Sequence, residues 1–358
     1  MKNLIGLKAA RTVPLAASVV AVAAAVAAGL VAGQGKAAPP ARAAKAAHQY
    51  NQLGFKRPKL VHGLLTIAGT QASDKIALRL QAGYPGVLQI DVGDNGSADF
   101  SFNRAKIARI AVDGRAGDDA VRIDDSNGVV TDGIPITIDG GDGNDNLAGG
   151  SGAELLLGGD GNDSIDGNKG NDLAFLGAGD DTFVWDPGDG SDTVEGQDGE
   201  DTMRFNGANV AEQVDLSANG KRLKFFRDVA NITMDTAGVE RVDFNALGGA
   251  DKVTVNDLTG TGVTTVNVDL AGALGGATGD GQPDRVVVNA TNGNDAINVN
   301  GDAAGVKVSG LAPTVEILHS EVAKDRLEIN TLAGSDSVDS GGLAAGAIQL
   351  FVDGLLAP

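Results

Sequence analysis

Apolar residues recur at a fixed nine-residue interval through the middle of the chain. When Gly140–Arg204 is read in blocks of nine, with one insertion at Trp185-Asp186, the eighth position of every block is apolar. These residues are Leu147, Leu156, Ile165, Ala174, Phe183, Val194 and Met203. Because side chains alternate between the two faces of a strand, one apolar position per block predicts a short strand with that side chain pointing inward. A short fixed period predicts a solenoid, in which two blocks make one coil.

The rest of each block predicts a tight turn that ends in an acidic side chain. The fourth position is always glycine, namely Gly143, Gly152, Gly161, Gly170, Gly179, Gly190 and Gly199. The sixth position is always acidic, namely Asp145, Glu154, Asp163, Asp172, Asp181, Asp192 and Asp201. Glycine permits a positive φ and a close approach of neighbouring backbones, which a turn in every block requires. Acidic side chains eighteen residues apart would then lie directly above one another.

Acidic residues dominate the chain, and this points to cations as partners. The formal net charge is −19, and it falls to about −25 without residues 1–46, which hold six basic residues and no acidic one. Such a chain repels nucleic acid and anionic lipid. The seven blocks contain sixteen acidic residues and only two basic ones, Lys169 and Arg204. Stacked carboxylates repel each other in a partly dehydrated turn, and hard oxygen ligands in a flexible loop favour Ca²⁺ over Mg²⁺ or Zn²⁺.

The blocks resemble the nonapeptide GGxGxDxUx of the repeats-in-toxin (RTX) family, a calcium-binding β-helix repeat. The resemblance covers Gly140–Arg204, less than a fifth of the 358 residues. It implies a parallel β-roll whose turns bind Ca²⁺ between neighbouring coils, with the sixth-position acid as a ligand. The ligands that it implies form two rows, with glycines shaping the turns of the first. The first row is Asp145, Asp163, Asp181 and Asp201 with Gly143, Gly161 and Gly179, and the second row is Glu154, Asp172 and Asp192.

Three departures from the RTX pattern affect these expectations. Glu154 stands where Asp is expected and adds a methylene, and Lys169 places a cation in a ligand turn. The Trp185-Asp186 insertion interrupts the eighteen-residue spacing, so Asp163 belongs to both of the regular pairs in the first row. The competing interpretation, a disordered Gly/Asp-rich spacer, does not require an apolar residue at every ninth position.

A longer repeat surrounds the blocks. The pattern R-U-x-U-[DN]-x-x-[AG]-G-x-D-x-V, with U apolar, occupies residues 109–121, 241–253 and 326–338. Each copy predicts a strand, a glycine turn and the start of another strand. The three turns are similar to degenerate RTX turns, but Asp also closes turns by bonding its own backbone. Whether these turns bind metal is therefore open at this stage.

The remaining segments predict an all-β protein. Strands separated by Gly, Asp and Asn turns are expected at Leu88–Val92, Lys106–Val112, Val129–Ile138, Lys221–Phe226, Val263–Leu270, Arg285–Val288 and Val306–Leu318. Beyond the N-terminal apolar stretch, a helix is expected only within residues 41–52. We therefore expect a parallel β-roll or β-solenoid at 139–207, flanked by repeat-built β modules at 60–138, 208–289 and 290–358.

The N-terminus has the layout of a secretory signal. Residues 1–73 contain no Asp or Glu, and Lys2, Lys8 and Arg11 precede an apolar stretch at Val13–Gly33. Small residues and prolines follow, as in a cleavage region. We expect residues 1–46 to be a signal peptide and linker, with no membrane span after cleavage and a secreted or cell-surface location. The alternative is an uncleaved anchor, because the apolar run is about 20 residues long.

Composition excludes several classes of site. The absence of Cys excludes disulfides and thiolate metal sites, and three His without an HExxH motif exclude the usual zinc hydrolases. No GxSxG nucleophile motif occurs in the chain. Aromatic residues make up only 4% of the chain, so a core built on aromatic anchors is not expected.

These observations favour an exported, non-enzymatic Ca²⁺-binding β-solenoid with a surface, matrix or adhesion role. Its further partners would be a cell-surface polysaccharide or protein. The alternative is a calcium-stabilised, carbohydrate-active β-helix enzyme, a polysaccharide lyase or epimerase. Such a site normally holds an acidic sugar with basic and aromatic residues. The one cluster suited to this is Arg222, Lys224 and Arg227 with Phe225-Phe226.

Overall fold

A computed structural model describes residues 54–357, which form 29 strands and three single-turn 3₁₀ helices. The strands are β1 (Lys59–Val61), β2 (Leu64–Ala68), β3 (Lys75–Gln81), β4 (Tyr84–Val92), β5 (Phe100–Asn103), β6 (Arg109–Ala116), β7 (Ala120–Asp124), β8 (Ile136–Asp142), β9 (Asn146–Ala148), β10 (Glu154–Asp160), β11 (Ser164–Asp166), β12 (Leu173–Ala178), β13 (Thr182–Trp185), β14 (Thr193–Asp198), β15 (Thr202–Asn206), β16 (Gln213–Asn219), β17 (Arg222–Arg227), β18 (Ile232–Ala237), β19 (Arg241–Asn245), β20 (Lys252–Val255), β21 (Thr265–Asp269), β22 (Arg285–Asn289), β23 (Ala296–Asp302), β24 (Gly305–Ser309), β25 (Thr314–Leu318), β26 (Arg326–Asn330), β27 (Ser337–Leu343), β28 (Gln349–Val352) and β29 (Leu355–Leu356). The 3₁₀ helices are Arg104–Lys106, Asp125–Asn127 and Val229–Asn231. The predicted signal peptide and the predicted helix at 41–52 lie outside the described residues.

The chain winds back and forth between two long sheets. One sheet has 15 strands and the other has 14, and from β6 to β15 successive strands fall alternately in the two sheets. From β8 to β15, each strand pairs in parallel with the strand two places before it. Within the blocks, Leu156 pairs with Ala174 and Ile165 with Phe183. Two nine-residue blocks therefore make one coil, and the predicted all-β solenoid is confirmed.

The core lies between the two sheets. All seven eighth-position residues are fully buried, with 0% of their surface exposed. Each of the strands β9 to β15 contributes one such side chain, and the residues on either side of it point away from the core. The nine-residue apolar period in the sequence thus corresponds to a thin core that runs along the solenoid axis.

Three antiparallel excursions interrupt the winding, and these were not predicted. They are β3–β4–β5, β16–β17–β18 and β23–β24–β25. The single strand predicted at Val306–Leu318 is wrong, because a turn that contains Gly310 at φ 94° divides it into β24 and β25. The sheets continue from β1 to β29 through the flanking modules, whose boundaries stay a prediction.

Two further predicted strands begin later than expected. Val129–Ile138 becomes a strand only at Ile136, since the segment before it turns, with the N–H of Ile134 donating to the carbonyl of Thr131 (2.9 Å). The strand predicted at Lys106–Val112 begins at Arg109, because Arg104–Lys106 is a 3₁₀ turn capped by the side chain of Asn103.

An aromatic cluster fills the core where the blocks end. The Trp185 ring stacks on Phe205, with centroids 3.9 Å apart and planes 5° apart. Phe225 and Phe244 pack against Phe205 at 4.4 Å and 6.1 Å between centroids. The expectation of a core without aromatic anchors is therefore wrong at this place, because the single Trp and three of the ten Phe residues pack together here.

Candidate metal sites in the turns

The sixth-position carboxylates of the first row lie one above another along an edge of the solenoid. The backbone N–H of Asp145 donates to Oδ1 of Asp163 (2.7 Å), and the N–H of Asp163 donates to Oδ1 of Asp181 (2.7 Å). The N–H of Asp181 donates to Oδ1 of Asp201 (3.0 Å). The structure thus brings together the four residues that the RTX resemblance assigns to one edge.

The second row has the same arrangement. The N–H of Glu154 donates to Oδ1 of Asp172 (2.7 Å), and the N–H of Asp172 donates to Oδ1 of Asp192 (2.8 Å). The Trp185-Asp186 insertion changes the spacing in both rows from 18 to 20 residues without interrupting either row. This was not expected from the sequence.

The inserted residues close into a local loop, which explains why the rows continue. Trp185 Nε1 donates to the carbonyl oxygen of Gly190 (2.8 Å), and the N–H of Asp186 donates to Oδ2 of Asp189 (2.6 Å). The extra chain length therefore bulges outward before the next turn begins.

Six of the seven sixth-position acids leave a buried oxygen atom that needs a partner. The seven residues are at most 3% exposed. Within residues 54–357, six of them have a buried carboxylate oxygen without a hydrogen-bond partner: Oδ2 of Asp145, Asp163, Asp172, Asp181 and Asp201, and Oε1 of Glu154. A buried and unpaired charged oxygen is strongly unfavourable, so the rows fit a cation held between coils.

Burial raises the pKa of these carboxyl groups. It raises the pKa of Asp163, Asp192 and Asp201 to about 7 and that of Asp172 to about 8. Hydrogen bonds from backbone N–H groups act against this rise, and neighbouring carboxylates add to it. Each row therefore contains carboxyl groups whose pKa lies near neutral pH, and a bound cation would favour their ionised form.

Backbone carbonyl groups supply further oxygen atoms at the turns. A Cβ on Gly158 would collide with Oδ2 of Asp163 and with the carbonyl oxygen of Leu176 in the next coil. The carboxylate and carbonyl oxygens therefore lie on the same side of the turn and close together. No three His, Cys, Asp or Glu side chains converge as a metal cluster anywhere in the described part of the chain. A cation in the turns would be held by carboxylates and backbone carbonyls together, which is a donor set that suits Ca²⁺.

The fourth-position glycines make the close stacking of the turns feasible. Gly143, Gly161 and Gly179 have φ values of 130°, 131° and 137°. A Cβ on any of them would collide with the carbonyl oxygen of the matching glycine in the preceding coil. These positions therefore require glycine for both reasons, and their role beside a metal ion stays a prediction.

Glu154 differs from its neighbours as its longer side chain suggests. Its Oε2 accepts the N–H of Gly150 (2.8 Å), so the side chain partly closes its own turn. Lys169, the cation in a neighbouring ligand turn, is exposed. The turn that begins the second row therefore also leaves one carboxylate oxygen without a partner, Oε1 of Glu154, but its other oxygen bonds within the same turn instead of joining two coils.

Sequence reasoning missed a second ladder, formed by the fifth position of the blocks. Oδ1 of Asn144 accepts the N–H of Asn162 (2.7 Å), and Oδ1 of Asn162 accepts the N–H of Asp180 (3.0 Å). The recurrence of Asn or Asp before the acidic position was the available signal. It also missed Glu240, whose Oε2 accepts the N–H of Asp201 (2.9 Å) and ends the first row.

Comparison with known protein families agrees with this geometry. Residues 137–153, 148–183 and 188–209 match the RTX calcium-binding nonapeptide repeat, in four copies. No curated protein matches the chain. The resemblance drawn from the sequence is thereby confirmed: the middle of the chain consists of RTX repeats, which bind Ca²⁺. The individual ligand residues remain a prediction.

Proposed function

We propose that this calcium-binding β-roll protein is exported and acts outside the cell as a non-enzymatic scaffold, with a surface, matrix or adhesion role. The observation that carries the proposal is the row of buried carboxylate oxygens without partners at Asp145, Asp163, Asp181 and Asp201. Such rows make the folded middle of the chain depend on a divalent cation. Extracellular fluid supplies millimolar calcium, so a dependence of this kind suits a protein that folds after export.

In such a scaffold the acidic side chains would both join neighbouring coils and bind Ca²⁺. Oδ1 of each sixth-position acid already ties one coil to the next, while Oδ2 and the turn carbonyls would hold Ca²⁺. The ion supplies the positive charge that the rows lack. Bound along both edges, it would turn a flexible acidic segment into a stiff rod.

The alternative, a carbohydrate-active enzyme, gains little support from the basic cluster. Arg222 is engaged with Glu195 (2.7 Å) and Asp235 (2.6 Å). Arg227 is 2% exposed and is paired with Glu212. These arginines are neutralised by carboxylates of the protein itself, so an acidic sugar would find few free cations there. The absence of turnover on a panel of acidic and neutral polysaccharides would support the non-enzymatic scaffold, and turnover would favour the alternative.

Export of the protein is supported by the sequence of its N-terminus. No helix among residues 54–357 is long and apolar enough to cross a bilayer. Export rests on the basic start, apolar stretch and small-residue region of 1–46. N-terminal sequencing of protein recovered from culture medium and cell surface would test it, with cleavage before residue 47 as the expected result.

Calcium dependence of folding is the decisive experiment. The chain from residue 47 onward would be followed by circular dichroism and by thermal unfolding in chelator, in millimolar Mg²⁺ and in millimolar Ca²⁺. We expect Ca²⁺ to increase the β signal and the Tm, and Mg²⁺ to do so much less. Spectra and Tm values that are the same in chelator and in Ca²⁺ would contradict the proposal.

A further inference from the structure

We propose that the calcium sites extend one coil beyond the RTX repeats, to the turn of residues 114–119 that ends at Asp119, and that they stop before the turn ending at Asp74. This inference rests on the proposed calcium-dependent scaffold. The matched repeat region begins only at residue 137, so the turn at 114–119 lies outside it.

The acidic turns are of two kinds, which differ in whether the second carboxylate oxygen has a hydrogen-bond partner. In closed turns this oxygen accepts the backbone N–H four residues earlier: Thr70 donates to Asp74 Oδ2 (2.6 Å), Thr291 to Asp295 Oδ2 (3.0 Å) and Glu321 to Asp325 Oδ2 (2.6 Å). In open turns, which include those ending at Asp145, Asp163, Asp181 and Asp201, Oδ2 is buried without a partner. Asp119 belongs to the open kind, because its Oδ2 is buried and lacks a hydrogen-bond partner within the described part of the chain.

Backbone conformation accounts for the two kinds of turn. In the open turns the residue four before the acid has a positive φ, as at Gly141 (108°), Gly159 (120°) and Gly177 (126°). Thr70 and Glu321, in closed turns, do not. A positive φ turns the N–H away from the carboxylate, so Oδ2 loses its internal partner. The open turn therefore leaves Oδ2 available to a ligand, because no backbone N–H of the turn donates to it.

The turn at 114–119 adopts the open conformation although it lacks the glycine that allows a positive φ without steric cost. Arg115 occupies the second position at φ 85°, a region that L-residues rarely adopt. The structure keeps this conformation although an ordinary φ would let the Arg115 N–H satisfy Asp119. The Arg115 guanidinium lies 3.8 Å from Asp113 Oδ2, so its charge is shared with that carboxylate.

The oxygen atoms around Asp119 are arranged as in the repeats. A Cβ on Gly114 would lie 2.5 Å from Asp119 Oδ2 and even closer to the carbonyl oxygen of Gly140 in the next coil. In the repeat turn that follows, a Cβ on Gly140 would collide with the corresponding pair, Asp145 Oδ2 and the Gly158 carbonyl oxygen. Asp119 is 2% exposed, and its N–H donates to Asp145 Oδ1 (2.7 Å). The turn thus adds one further carboxylate and one further carbonyl site to the first row.

The same observation does not extend the proposal to Asp251. Its Oδ2 is also buried without a partner among the described residues. However, its neighbour in the row, Glu212, is paired with the buried guanidinium of Arg227. Positive charge is therefore already built into that part of the solenoid, whereas Asp119 and Asp145 have none between them.

Two matched variants test the inference in the chain from residue 47 onward. Asp119→Asn removes the charge of the open turn, and Asp74→Asn makes the same change in the closed turn one coil earlier. Bound calcium would be counted by equilibrium dialysis with elemental analysis. We expect Asp119→Asn to bind about one Ca²⁺ fewer per chain and Asp74→Asn to bind the wild-type number. Equal numbers in Asp119→Asn and wild type, together with a loss in Asp163→Asn, would overturn the inference and leave the scaffold proposal standing. No bound calcium in the wild type would overturn the scaffold proposal itself.

A third variant covers the case in which Asp119→Asn fails to fold. Arg115→Gly removes the cost of the positive φ and restores the glycine found at this position in most repeats. The change also removes a positive charge from the turn, which would repel Ca²⁺, so we expect the calcium-induced rise in Tm to become larger than in the wild type. An Arg115→Gly protein that gains the same Tm in chelator as in Ca²⁺ would show that only the backbone was relieved and would count against a site at Asp119.

Discussion

The N–H of Asp163 donates to Oδ1 of Asp181 across 2.7 Å, while Oδ2 of the same Asp181 is buried without a partner within residues 54–357. One carboxylate therefore has two roles, since its first oxygen joins two coils and its second is left for a cation. Removing the side chain should break both the ladder and the metal site. This double role is the basis for ranking the turns.

Asp163→Ala should lower calcium stoichiometry and stability more than Glu154→Ala. Asp163 stands between two regular neighbours in the first row, so its loss affects the sites on both sides. Glu154 begins the second row, so it has a neighbour on one side only, and its Oε2 accepts the N–H of Gly150 within its own turn. We expect the loss at Asp163 to be of the order of a few kcal/mol in calcium. Calorimetric titration and thermal unfolding of both variants measure this, and equal losses would show that the ranking is wrong.

Asn162→Ala provides a matched comparison in the same coil. Asn162 is exposed, and its Oδ1 accepts the N–H of Asp180 (3.0 Å) in the fifth-position ladder. Because water can replace this bond, we expect a cost of about 1 kcal/mol or less and an unchanged number of bound ions. A loss of calcium in Asn162→Ala as large as that in Asp163→Ala would mean that coil stacking, rather than the carboxylate, controls binding.

Stability of the calcium-free protein should fall as the pH rises. Burial raises the pKa of Asp163 to about 7 and that of Asp172 to about 8, against about 4 in an unfolded chain. A group with a raised folded-state pKa contributes stability that is present below pH ~4 and is lost as the pH passes through its folded pKa. We therefore expect a lower Tm at pH 8 than at pH 5 in chelator.

Saturating calcium should reverse this trend, because protons and Ca²⁺ compete for the same oxygens. Scanning calorimetry at pH 5 and pH 8, with and without calcium, measures the direction of the Tm change with pH in both conditions. In the double variant Asp163→Asn/Asp172→Asn two of the titrating groups are gone, so the slope in chelator should become shallower. A Tm that rises with pH in chelator would contradict the assignment of these carboxyls as buried.

The regular part of this fold was readable from the sequence because its constraints are local. A buried side chain at every eighth position and an acid at every sixth position each recur within nine residues, so the pattern shows directly. The excursion β16–β18 was not readable, because an antiparallel hairpin strand and a coil strand carry the same alternation. The open turn at Asp119 was seen only as a degenerate repeat. Its distinguishing feature is the positive φ of Arg115, which cannot be predicted from the residue type.

The aromatic cluster was also beyond sequence reasoning, and it leads to a prediction of its own. Trp185 and Phe225 lie 40 residues apart, yet both pack against Phe205, which no local period reveals. Trp185→Ala should therefore destabilise the calcium-loaded protein by about 3–5 kcal/mol, the usual cost of such a cavity. The ions of the first row should stay bound, because the turn that Trp185 Nε1 holds, at Gly190, belongs to the second row.

Trp185→Phe separates the packing of the ring from its hydrogen bond. Phenylalanine retains a ring against Phe205 but loses the Nε1 donor that holds the carbonyl of Gly190 (2.8 Å) at the inserted loop. If packing dominates, Trp185→Phe should lose only about 1–2 kcal/mol, the cost of one lost bond and a smaller ring. If both variants lose the same amount in thermal unfolding with calcium, the closure of the loop through Gly190 is what stabilises this coil. The ability of the rows to continue past the insertion would then depend on that single hydrogen bond.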